Sequence, residues 1–214
     1  MRLGNSISKL LSLASASLSQ EAPTLGETAL KAAGAIGNEL LAVLRAANGF
    51  YAFENALHFL PARSSLLSVG IEEWNTESGW RKEYEGLADD CLFFAEDVFG
   101  GQFCIVDNGI WSFDPETGER QAMGSSLDAW AREILRDYKV MTGHPVAHAW
   151  QMQNGPLPEG MRLVPRIPFV CNGEFNLANL ALMDAERGMR ARGNLARQIR
   201  DLPDGAQISF RIEA

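Results

Sequence analysis

Between Cys91 and Tyr138 the chain alternates short apolar runs with tight-turn chemistry. Residues 91–94, 102–106 and 110–113 read as strands, each bounded by turn residues. Gly100-Gly101 separates the first pair, and Asp107-Asn108-Gly109 is a short hairpin turn between the second. Asp114-Pro115-Glu116-Thr117-Gly118 makes a further turn into a weaker strand over residues 119–123. Ser125 then caps a helix. Asp128, three residues on, approximates a capping box, and Leu127, Trp130, Ile134, Leu135 and Tyr138 share one face.

Around this block the pattern is less regular. Leu30, Ala33, Ile36, Leu40, Leu41 and Leu44 repeat at three-to-four spacing and predict one helix over residues 28–47, stopped by Asn48-Gly49. The aromatic-rich residues 50–60, ending at Pro61, read as a short strand or an irregular core segment. Residues 64–85 read as helical in part, around 66–74. Further on, residues 143–160 look loop-rich. Leu163, residues 168–170 and residues 180–182 are candidate strands, and residues 194–201 a helix stopped by Pro203-Asp204-Gly205. Ile208, Phe210 and Ile212 alternate with polar residues as a last strand. No linker divides the chain. The expected organisation is a weakly ordered or helical leader (residues 1–27), a core (28–142) and an extension packed on the same unit (143–214). The stretch from Leu10 to Ala16 resembles a signal peptide but is short and diluted by serine, so the cytoplasm is the expected compartment.

The 214 residues carry a formal charge of −8, with 46% hydrophobic and 21% charged residues. That field disfavours nucleic acid and anionic membrane and is compatible with a basic protein partner. Cys91, Cys104 and Cys171 lie in apolar stretches without C-x-x-C pairing, and read as buried thiols. No run reaches membrane-span length.

No nucleophile elbow, P-loop or dinucleotide fingerprint is present. His144 and His148 would share a face if helical, but the Glu of H-E-x-x-H and an obvious third ligand are lacking. A polar loop pair is the plainer reading, so no metal, cofactor or catalytic residue is expected. His58, between Leu57 and Phe59, reads as a core histidine. Arg187, Arg190, Arg192, Arg197 and Arg200 crowd the tail among acids. They read as a solvated helix face, an ion-pair network or a second contact patch.

One segment combines charge with aromatic rings. Glu72, Glu73, Glu77, Glu83, Glu85, Asp89 and Asp90 interleave with Trp74, Trp80 and Tyr84, opposed only by Arg81 and Lys82. Aromatic anchors amid carboxylates are what a surface for a basic partner needs. The competing reading puts the rings in the core and leaves the acids as solvating groups. On the first reading, charge reversal at Glu83 and Glu85 slows association and leaves the fold intact.

The order of segments resembles the SUKH superfamily, which includes fungal cell-wall-assembly regulators and bacterial immunity proteins. The resemblance rests on the helix closing at Asn48-Gly49, on Phe93-Phe94-Ala95-Glu96-Asp97-Val98-Phe99-Gly100-Gly101-Gln102-Phe103, on Ile110-Trp111-Ser112-Phe113-Asp114-Pro115-Glu116-Thr117-Gly118, and on Ser125-Ser126-Leu127-Asp128-Ala129-Trp130. It implies a mixed α+β fold with a mainly antiparallel sheet flanked by helices, here with a C-terminal α/β extension. It also implies a non-enzymatic protein that binds and neutralises a bacterial toxin domain, often a nuclease. A scaffold or regulatory adaptor of the same fold is the alternative, and a metal-assisted enzyme using His144 and His148 a third reading.

Overall fold

The computed structural model describes residues 2–203 and 205–206; the strand expected at residues 208–212 lies outside them. The chain has a mixed α+β architecture built on a six-stranded antiparallel sheet. Its strands are β1 (Phe50–Ala52), β2 (Leu57–Phe59), β3 (Leu92–Asp97), β4 (Gln102–Val106), β5 (Gly109–Phe113) and β6 (Arg120–Gly124). Each pairs with its chain neighbour, so spatial order equals sequence order. Pairings such as Phe50 with Phe59, Leu57 with Asp97 and Ile105 with Ile110 fix the register. Short turns dictate this for β1–β2 and from β3 to β6, because only antiparallel strands can be joined by a few residues; β2 and β3 pair across the longer excursion of residues 60–91. The segment expected to be a short strand or irregular thus forms a full hairpin, β1–β2.

Helices flank the sheet. The first, α1 (Asn5–Leu11), buries Ile7 and Leu10, and its leading Ser6 and Ile7 N–H groups donate to Asp128 Oδ1. The leader is therefore built into the core. Beyond it the backbone follows β1: Ser15 N–H donates to the Tyr51 carbonyl and Leu18 N–H to that of Gly49. The helix expected over residues 28–47 is two, α2 (Glu27–Ala33) and α3 (Gly37–Ala46), joined by a 3₁₀ turn. Gly34 breaks it at φ 52°, where a Cβ would collide with Asn108 Oδ1. The Asn108 side chain, from the β4–β5 turn, accepts the Ala35 N–H at the break. A contact 73 residues away in sequence overrides a continuous helical period.

A short helix, α4 (Ile71–Trp74), and a 3₁₀ turn (Trp80–Tyr84) follow β2, and α5 (Leu127–Arg136) follows β6. Ser126, not Ser125, caps α5, accepting the Ala129 N–H, which frees Asp128 to cap α1. Side-chain alternation along β3 divides two cores. Phe94 packs on one face with Phe59 and Trp130 of α5. Phe93 packs on the other with Trp80 and Phe113. β4 is buried along its whole length, as expected for a strand covered on both sides.

A short helix, α6 (Tyr138–Met141), ends the core region, and the extension begins with α7 (His144–Asn154). The loop expected over residues 143–160 is thus largely helix, with Pro145 in its first turn, where the missing N–H costs nothing. A second sheet pairs β7 (Met161–Pro165) with β8 (Leu180–Asp184), and α8 (Ala185–Ile199) is longer than the helix expected at residues 194–201. Residues 168–170 are not a strand: Phe169–Cys171 is a 3₁₀ turn. α8 lies on the Trp80–Tyr84 turn, and Gly193 permits this because a Cβ there would fall 2.6 Å from the Tyr84 ring.

Candidate functional site

The acidic segment divides by side-chain type. Trp74, Trp80 and Tyr84 are buried at 3%, 1% and 0% exposure. Trp80 meets Tyr84 and Phe93 edge-on at 5.4 and 5.0 Å, and Trp74 donates Nε1–H to Gln102 Oε1. These rings are core and cannot anchor a partner, so the aromatic half of the expected surface is corrected. Four of the acids hold the fold together. Glu72 accepts the Gly26 N–H ahead of α2, and Glu73 accepts from the Ser64 backbone and hydroxyl. Glu83 lies 3.7 Å from Arg190, and Glu85 pairs with Arg197 at 2.8 Å. The arginine-rich tail is thus in part an ion-pair network onto this segment, and Arg192 is buried. Charge reversal at Glu83 or Glu85 would loosen α8, so neither tests a surface cleanly. Glu77, Asp89 and Asp90 remain exposed around a bowl of about 420 Å³ that they share with Arg81, Lys82 and Glu85.

A polar network crosses the interior. Arg162 of β7, fully buried, places Nη2 2.8 Å from Glu96 Oε1 as an ion pair and donates from Nη1 to the Met161 carbonyl. His58 Nδ1 lies 3.0 Å from the same carboxylate oxygen and its Nε2 2.8 Å from Ser68 Oγ, while Gln102 donates to Glu96 Oε2. Burial alone would raise the Glu96 pKa, but Arg162, His58 and Gln102 outweigh it and hold it at about 2. Burial lowers that of His58 and keeps the ring neutral, so Nδ1–H donates to Glu96 and Nε2 accepts from Ser68. Every member is enclosed, which fits the expectation of a core histidine and makes this a structural lock between sheet and extension.

Next to Glu96 the shift reverses. Asp97 Oδ1 accepts the Phe99 and Gly101 N–H groups, yet burial pushes its pKa up to about 7. The folded state then holds a proton the unfolded chain releases near pH 4, so this residue's contribution to stability declines as pH rises from about 4 to 7. Asp97→Asn, whose amide oxygen still accepts both N–H groups, is expected to flatten that decline. The gain above pH 7 is on the order of 2 kcal/mol, discounted for the residue's partial exposure. Urea melts at pH 4, 5, 7 and 8 check it; parallel stability curves for variant and wild type would refute the assignment.

Asp97 lines the wall of a cleft of about 520 Å³ where the β3–β4 turn, the Asp114–Glu119 turn, α6 and the extension meet. Phe99, Phe169 and Phe175 form one side. Phe169 and Phe175 stack at 3.6 Å, Phe99 meets both edge-on, and Phe175 is 65% exposed. Against the same segment Glu116, 3% exposed, accepts the Val170 N–H through Oε2; burial raises its pKa although the Val170 and Phe169 N–H groups favour its charged form. Arg192 reaches in from α8 and donates to the Phe99 and Gly188 carbonyls. Sequence reading took Glu116 as turn punctuation and Phe169 as strand. Their convergence comes from tertiary docking, and two phenylalanines following Pro168 outside any periodic run were the available signal.

His144 and His148 do share a helix face, their rings 6.0 Å apart. The group facing them is Glu54, with Oε2 2.8 Å from His148 Nδ1 and Oε1 3.7 Å from His144 Nε2. Phe53, Glu54 and Asn55, at φ of 54°, 54° and 63°, turn the β1–β2 hairpin to present this carboxylate. Among the described residues no group of three or more His, Cys, Asp or Glu is spaced to hold a metal ion, and no helix is long and apolar enough to cross a membrane.

No protein-family model matches the chain, and no curated protein sequence matches it. A solved structure similar to it is the crystal structure of Atu4351 from Agrobacterium tumefaciens, at a TM-score of 0.53 and 13% identity over 86% of each chain. At that identity the likeness is one of fold.

Proposed function

We propose that the chain is a non-enzymatic neutralising protein of the SUKH immunity type, which binds a basic bacterial toxin or effector domain in the cytoplasm. The observation that carries the reading is the exposed acidic bowl of Glu77, Asp89 and Asp90 on a chain of net charge −8. A nuclease must present a basic surface to hold its substrate, and a clustered acidic face steers such a surface into encounter. The carboxylates that bind α8 stand beside the bowl, so the acidic groups are displayed on a rigid support. The segments that carry the family resemblance also form one continuous unit, from α3 through the meander to α5, which supports the reading.

The first test is capture of the partner from native cells on the tagged protein, identified by mass spectrometry. A toxin or secreted effector domain is the expected catch, and a housekeeping complex would replace this reading with the adaptor. With the partner in hand, joint reversal of Glu77, Asp89 and Asp90 to Lys is expected to slow association on the order of ten-fold at low salt, with the melting temperature unchanged. An unaltered rate and salt dependence would remove the bowl from the interface.

A further inference from the structure

We propose that the Glu116 cleft is a socket for a cationic side chain, arginine or lysine, of the protein partner. The inference rests on the neutralising reading for the source of that side chain, but on its own geometry for the chemistry. Glu116 lines the cleft and is buried, and among the described residues its Oε1 has no hydrogen-bond partner. A buried carboxylate oxygen left unpartnered is costly, and a ligand that supplies a donor recovers that cost. The guanidiniums at hand are committed elsewhere. Arg192 donates to the Gly188 and Phe99 carbonyls and approaches Met189 Sδ, and Arg120 points to Cys91 Sγ at 3.7 Å.

Charge complementarity selects a cation. Three carboxylates line the cleft (those of Asp114, Glu116 and Glu119) against those two guanidiniums, and Asp97 adds a fourth only as it ionises near pH 7. The stacked Phe169–Phe175 pair supplies an aromatic wall, and a cation laid on such a face is attracted by the ring quadrupole. Phe175, exposed and stacked on Phe169, fits the anchor residue that interface energetics favour, with a charged contact desolvated beside it. The acidic bowl would then govern the rate of encounter and this cleft the lifetime of the complex.

The test uses the full chain and two soluble probes, N-acetyl-arginine amide and its neutral isostere N-acetyl-citrulline amide, followed by amide chemical shifts. The arginine probe is expected to bind in the millimolar range and to move Phe99, Gly101, Val170 and Phe175, with the citrulline probe about ten-fold weaker. Glu116→Gln, whose amide oxygen still accepts the Val170 N–H, is expected to abolish the preference. Phe175→Ala, on the surface, is expected to weaken the arginine probe and serves if Glu116→Gln fails to fold. Equal binding of both probes, no binding of either, or an unchanged preference in both folded variants overturns the proposal. Capture of a toxin by a protein indifferent to the probes would leave the neutralising reading standing and remove the socket. Probe binding without toxin capture would do the reverse.

Discussion

Arg162→Met is expected to cost about 3–5 kcal/mol at neutral pH, the range for removing one partner of a buried ion pair. Arg162 is 0% exposed, and it is the cation against which Glu96 stays ionised in the interior. Without it the carboxylate must be buried uncompensated or take up a proton. The wild-type Glu96 pKa, held at about 2 against an ordinary value near 4.5, contributes stability that is complete above the ordinary value and lost as pH falls towards 2. The variant lacks that contribution, so its deficit should be largest at pH 7 and shrink on approach to pH 3. Glu96→Gln combined with Arg162→Met should recover part of the loss. Chemical denaturation across this pH range reads all three, and a deficit independent of pH would mean that Arg162 acts only through its packing over the Tyr51 ring, whose centroid lies 5.7 Å from the guanidinium carbon.

Trp80→Ala should cost a comparable 3–5 kcal/mol, the range for truncating a large buried aromatic. The indole touches Trp74, Tyr84 and Phe93, and through Tyr84 it supports the seat of α8, so the cavity opens where three elements meet. This separates the two readings of the acidic segment in one experiment. An interface tryptophan gives a stable protein that binds poorly, whereas a core tryptophan gives a protein whose urea midpoint falls sharply. An unchanged midpoint would return Trp80 to the surface.

The meander was legible because its turn residues and apolar runs are local, and local patterning dictates antiparallel neighbours. Strands β4 to β6 fall within a residue of their expected positions, and β3 starts within one but runs three residues further, to Asp97. What could not be read was side-chain direction in runs apolar throughout. Nothing in Phe93-Phe94 says which ring meets Trp80 and which Trp130, and nothing in a tryptophan flanked by acids says whether it faces in. Long-range partners were equally silent. Asp128 looked like half of a local capping box, but it caps a helix more than a hundred residues earlier; Gly34 looked like an ordinary helical position until Asn108 arrived from another turn. The cleft was hidden for the same reason, since Glu116, Asp97 and Phe175 come from separate parts of the chain and share no motif.

The sheet's two margins are unlike. Along β1 the segment after α1 occupies the outer backbone groups, with Ser15 and Leu18 bonded to Tyr51 and Gly49. Along β6, Arg120, Gln121 and Ala122 are exposed, and the pairing with β5 is interrupted by a bulge beside Ile110. Among the described residues, an extra strand can therefore join the six-stranded sheet at one margin only. Two copies meeting there would use up the open margin of each six-stranded sheet, so growth along that sheet would stop at a pair, and the bulged margin discourages even the first step.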